Sequence, residues 1–237
     1  VCAERTGAST WVTKYPGLWA CLDELYDHYE DPKFVYLVRD PRDVVLSFKT
    51  SNIKFYHPYF SANRWLKEQR RGRELLEANP DSVHLVTYED ILREPERVVE
   101  ETCEFLDLPY EEAMLYFYET EDAKVTSESS ELLENLSIPI QRDNFGKFRD
   151  LLPEEEVALT EKLTYDELTY FGYEPVNDRA RLEDLALEPE ATYERLDREL
   201  ERAARKRQWR EAPREQVKRH LTTSFTAYMY LRYGVLG

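Results

Sequence analysis

The segment FVYLVRDPRDVVLSFKTS, residues 34–51, restricts the fold of this chain more than any other. Phe34, Val35, Tyr36, Leu37 and Val38 form a β-branched and aromatic run with no polar interruption, which reads as a strand buried on both faces. Arg39-Asp40-Pro41 ends it. Proline cannot continue a ladder but is well suited to open a helix, so the segment predicts strand, sharp turn, helix. VHLVTY at 83–88 is a second strand, after which Pro95 opens a helix with Val98, Val99, Thr102, Cys103 and Leu106 on one face. Strands that alternate with helices imply an α/β fold, a parallel sheet sandwiched by helices, with the ligand crevice outside the carboxyl ends of the strands.

Other elements follow from periodicity. Residues 17–29 form an amphipathic helix after Pro16, a long helix runs from about Ser61 to Ala78, and Pro153 opens another that ends near Gly172. The Ser- and Glu-rich stretch 111–140 has weak periodicity, and a mobile loop is expected at 121–135. Residues 177–237 hold 13 basic and 11 acidic side chains, whereas residues 1–176 hold 19 and 37, and this shift in charge marks a boundary. The organisation read from it is a domain over 1–176 and a helical C-terminal extension over 177–237, with helices at about 191–210 and 213–232.

Composition removes several classes of function. A net charge of -16 disfavours general nucleic-acid binding and anionic membranes. No run approaches the ~20 apolar residues of a membrane span. The seven glycines, Gly7, Gly17, Gly72, Gly146, Gly172, Gly234 and Gly237, build neither a Walker A loop nor G-x-G-x-x-G. Cys2, Cys21 and Cys103 are widely spaced, and His28, His57, His84 and His220 show no ligand spacing, so neither a disulfide framework nor a metal is expected. A reducing, cytoplasmic location is the default reading. Ser51-Asn52-Ile53-Lys54 matches S-x-x-K but lacks the companion motifs of acyl-enzymes. The basic cluster Arg202, Arg205, Lys206, Arg207 and Arg210 is diluted by Glu199, Glu201 and Glu211 and reads as a solvated helix face.

Arg39 stands at the carboxyl end of the first strand, where its planar fork of donors points into the crevice. Ser47, eight residues on, lies in the first turns of the following helix, whose free amides and positive dipole end favour an anion. Together they can form a phosphate cup. The alternative is that Arg39 pairs with Asp40 or Asp43 and that Ser47 is an ordinary helix residue.

The run FVYLVRDPRDVVLSF resembles the segment that binds the 3′-phosphate of 3′-phosphoadenosine 5′-phosphosulfate (PAPS) in sulfotransferases, with Arg39 and Ser47 matching its two phosphate ligands. WVTKYP at 11–16 is similar to the family's W-x-x-K-x-P strand end. TYEDILREPERVVEETCEFLDLP at 87–109 is similar to its Y-E-D-L stretch, and NFGKFRDLLPEE at 144–155 to its G-[RK]-W-[RK] segment, with Phe148 in place of tryptophan. The likeness runs over about residues 5–176 and is nearest to the bacterial and tyrosylprotein-type branch. The resemblance implies that Tyr88 contacts the nucleotide, that Lys147 reaches its phosphates from a covering loop, and that Lys14 stabilises negative charge on the bridging oxygen of the leaving group.

Two family features have no counterpart here. Nothing in residues 1–13 resembles the R-S-G-T-[ST] loop that cradles the 5′-phosphosulfate, and Pro16 stands where the cytosolic branch has its histidine base. The expectation is an N-terminally truncated sulfotransferase that moves a sulfuryl group from PAPS to an acceptor hydroxyl on a small molecule, glycan or peptide. As given, the chain would bind PAPS weakly, not turn it over, and be prone to aggregate. The alternatives are a donor-binding remnant or interaction module, and a P-loop nucleotide kinase.

Overall fold

A computed structural model describes residues 10, 12–14, 22–51, 55–128 and 131–211. Helix α1 covers Leu22–His28, and strand β1 covers Phe34–Val38. Helix α2 is Pro41–Thr50, α3 is Pro58–Ala78, and β2 is Val83–Thr87. Two helices follow β2 directly: α4, Tyr88–Arg93, and α5, Pro95–Phe105. Beyond two 3-10 segments, Glu112–Glu119 and Glu131–Ser137, with α6 (Glu121–Glu128) between them, come α7 (Phe148–Leu151), α8 (Glu154–Tyr170), α9 (Arg179–Asp184) and α10 (Glu190–Glu211).

The two strands pair in parallel, with Phe34 opposite Val83 and Val38 opposite Thr87. Parallel neighbours require a crossover, and here α2 and α3 supply it. This is the α/β arrangement expected of the alternating pattern. One face of the pair lies on α3 and the end of α8, where Val38, Trp65 and Phe171 are buried together. Gly72 makes this approach possible, because a Cβ there would fall on the Tyr36 ring, whose hydroxyl donates to Gln69. A second cluster, Val45, Leu46, Ala62, Phe148, Leu152 and Val157, joins α2 to α3, α7 and α8.

Several expectations need correction. Strand β1 is not buried on both faces: Val35 and Leu37 are 45% and 52% exposed, because among the described residues β1 is paired and covered on one side only. The stretch 121–135 is not an open loop. It holds α6 and a 3-10 turn that pack on each other rather than on the core, so no core-facing period could show in the sequence. The long helix starts a turn earlier than expected, since the His57 side chain accepts from the Tyr59 amide and Pro58 occupies the first turn.

The C-terminal part packs onto the body. Lys162 donates to the Leu182 carbonyl (2.7 Å), Asp197 accepts from the His57 amide (2.7 Å), and Tyr193 stacks on Tyr59 at 4.2 Å between centroids. Helix α10 matches the first helix expected in the extension. The second, at about 213–232, lies outside the described residues, as do residues 17–21 of the expected 17–29 helix.

Candidate functional site

Four of the five residues from Arg39 to Asp43 are charged, and each charged side chain has a different task. Asp40 caps α2 by accepting from the Arg42 amide (2.8 Å), an arrangement worth about 1 kcal/mol. Arg42 is 2% exposed. Its Nε and one Nη donate to the two Asp40 oxygens at 2.9 and 2.6 Å, and its other Nη donates to Glu161 Oε1 at 2.6 Å and to the Glu174 carbonyl at 3.0 Å. The guanidinium also lies 4.1 Å from the centre of the buried Phe148 ring.

Glu161, fully buried on α8, completes this network by accepting from the Val176 and Asn177 amides and from Asn177 Nδ2 at 2.7–2.9 Å. Asp43 accepts from the Gly146 amide (2.5 Å) and the Phe148 amide (3.0 Å). Every buried charge here has partners, as burial in a low-dielectric interior demands.

That leaves Arg39. Neither Asp40 nor Asp43 pairs with it, and among the described residues it makes no ion pair with any carboxylate. The residue is half-buried at the end of β1, its carbonyl accepts from Trp65 Nε1 (3.0 Å), and its guanidinium lies 4.4 Å from the centre of the Tyr88 ring. One Nη donates to the Asn144 carbonyl at 3.2 Å, while Nε is buried with no acceptor. An unmet guanidinium donor in a half-dry place is an anion-seeking group.

Tyr88 opens α4, fixed there because Thr87 caps the helix by accepting from the Asp90 amide at 3.1 Å. Its hydroxyl accepts from Asn144 Nδ2 (2.9 Å). Arg39, Tyr88 and Asn144 thus converge from three parts of the chain. Asn144 was not among the expected site residues; a lone loop asparagine carries no pattern that sequence reasoning could detect.

The remaining expected residues are less engaged. Ser47 is exposed on the second turn of α2, and Lys147 is exposed at the start of α7. Lys14 is exposed in the short described segment 12–14; its neighbours Trp11, Tyr15 and Pro16 lie outside the described residues. Arg142 is turned away, donating to the Arg93 carbonyl and to Glu96.

Behind this cluster lies Glu89, which accepts from the Asp40 amide (3.1 Å) and the Tyr173 hydroxyl (2.7 Å). Burial pushes its carboxyl above the ordinary range, against those two hydrogen bonds. A cleft of about 400 Å³ opens nearby, with Arg93, Phe145, Arg149 and Tyr173 on its walls. Arg39, Ser47, Tyr88 and Lys147 do not line it. Among the described residues no group of three or more His, Cys, Asp or Glu side chains could hold a metal ion, and no helix is long and apolar enough to cross a membrane.

Residues 1–112 match the model of the sulfotransferase family. That match, to the family's description over a little under half of the chain, is a likeness of the part that holds both strands. It is similar to a "Putative protein-tyrosine sulfotransferase" of Caenorhabditis briggsae, 28% identical over 116 residues, covering 47% of this chain and 41% of the relative. The chain therefore spans about two fifths of that relative's length. A solved structure, the sulfotransferase domain from the curacin biosynthetic pathway, resembles it at 23% identity and a TM-score of 0.44, covering 68% of this chain and 59% of that one. Within the family match lie β1, β2, Arg39 and Tyr88; Asn144 and Lys147 fall beyond it.

Proposed function

We propose that this chain is a sulfotransferase, that it binds the 3′-phosphate of PAPS at Arg39, and that it belongs to an enzyme that transfers the sulfuryl group to an acceptor hydroxyl. The observation that carries the reading is the Arg39 guanidinium, held on Tyr88 with a buried Nε that has no acceptor, while the charges around it neutralise one another. A phosphate would supply the missing acceptor. In this reading Ser47 adds a hydroxyl donor from α2, Tyr88 contacts the nucleotide and Lys147 lends charge from the covering loop.

In the transfer, the sulfur–oxygen bond to the 5′-phosphate breaks and a bond to the acceptor oxygen forms. The hydroxyl proton leaves to a base, and adenosine 3′,5′-bisphosphate is released. Negative charge grows on the bridging oxygen, which the Lys14 ammonium would stabilise.

Calorimetric titration of the chain with adenosine 3′,5′-bisphosphate and with adenosine 5′-monophosphate tests the reading. Charge-assisted hydrogen bonds are worth about 1.5–3 kcal/mol each, so the bisphosphate should bind at least about tenfold tighter, and Arg39→Ala should abolish that preference. ADP should bind no better than the monophosphate, which separates this reading from a nucleotide kinase. Equal affinities for the bisphosphate and the monophosphate would remove the basis of the assignment.

A further inference from the structure

The expected ligands of a 3′-phosphate come from β1 and α2, yet the guanidinium that would hold it already touches a loop 105 residues further along the chain, at Asn144. What places that loop is Asp43. Its carboxylate is 1% exposed, sits in the first turn of α2, and accepts from the Gly146 and Phe148 amides, one oxygen to each. Two residues before Gly146, the Asn144 carbonyl receives Arg39 and its side chain donates to Tyr88. Gly146 adopts φ +69°, a left-handed conformation that turns the loop back toward α2 and that residues with a side chain rarely adopt.

We propose that Asp43 is a positioning residue for the 3′-phosphate cup: by gripping the 146–148 turn from inside α2, it sets Asn144 against Arg39 and Tyr88 and makes the loop a third wall of the site. The inference rests on the reading of Arg39 given above. Asp43 touches no ligand itself. With the turn held, the Arg39 fork is aimed before a phosphate arrives, and less ordering opposes binding. With the turn released, Arg39 keeps its charge but loses its orientation, so discrimination for the 3′-phosphate should fall while contacts elsewhere on the nucleotide persist.

Two variants test this in the full chain. Asp43→Asn keeps one carboxamide oxygen as acceptor and loses the second. Gly146→Ala leaves the buried carboxylate intact, and a Cβ there meets no atom within 4 Å, so its effect is confined to the strained turn. Calorimetry with adenosine 3′,5′-bisphosphate and adenosine 5′-monophosphate is the readout. The expected result is a drop in preference from about tenfold or more to within about threefold in both variants, with monophosphate affinity unchanged.

If Asp43→Asn does not fold, Gly146→Ala alone decides. A preference retained in the folded variants overturns the positioning role and leaves the reading of Arg39 intact. Equal weakening toward both nucleotides also overturns it, because that is general damage. Absence of any preference in the unmodified chain overturns the reading of Arg39 and this inference with it.

Discussion

Residues 39–43 and residues 112–137 both carry several charged side chains, and the chain uses that charge in opposite ways. In the first, Asp40, Arg42 and Asp43 are all buried: Asp40 pairs with Arg42, Arg42 reaches Glu161 on α8, and Asp43 holds the 146–148 turn. In the second, the 3-10 segment Glu112–Glu119 buries no residue fully, α6 buries only Ser127, and Met114, Tyr116 and Val125 stay exposed. The presence of charged residues alone therefore says little about role. What separates the two is the strand: at the end of β1 the chain must turn inside the protein, so its polar groups need internal partners.

The largest test of that contrast is Arg42→Ala. It would strand Asp40 and Glu161 as buried carboxylates, for which a loss of about 3–5 kcal/mol is expected, enough to unfold a protein near the lower end of ordinary stability. Urea unfolding followed by circular dichroism measures it. A loss below about 1 kcal/mol would mean that the joint is not an internal anchor.

A smaller effect concerns Glu89. Its folded pKa is raised by burial, so between the unfolded carboxylate value and that raised value the folded state holds the extra proton, and stability falls as pH rises through this window. Glu89→Gln can still accept from the Asp40 amide and can donate to Tyr173, and it does not titrate. Relative to that variant, the unmodified chain should lose thermal stability on going from acid toward neutral pH. A constant difference across the range would show that Glu89 is not held in a dry site. The smallest effect is expected in the other region, where Glu119→Gln at an exposed position should change stability by less than about 0.5 kcal/mol by the same urea assay.

The strand, turn and helix at 34–50 were legible because an apolar run, a proline and a helical period occur together in seventeen residues. The short helix α4 was not read, although Thr87 and Asp90 carry its cap signal; its six residues are too few to display a period. The burial of β1 was overestimated because an apolar run does not report which of its faces a neighbour covers. In the candidate site, Arg39 and Tyr88 stand out through their neighbours in sequence. Asn144 and the grip of Asp43 on Gly146 arise only from tertiary placement, across separations of 56 to 105 residues.

The reach of Arg42 also has a consequence for synthesis. Its carbonyl partner Glu174 lies 132 residues downstream, and at about 5–20 residues per second those residues take roughly 7–26 s to be made. For most of that interval the β1–α2 turn has the Asp40–Arg42 pair but lacks Glu161 on α8, and until its end it lacks the Glu174 carbonyl. The joint closes only after that stretch is made, so a nascent chain that stalls before residue 174 presents an incompletely paired, highly charged turn where the folded protein has a buried and fully partnered one.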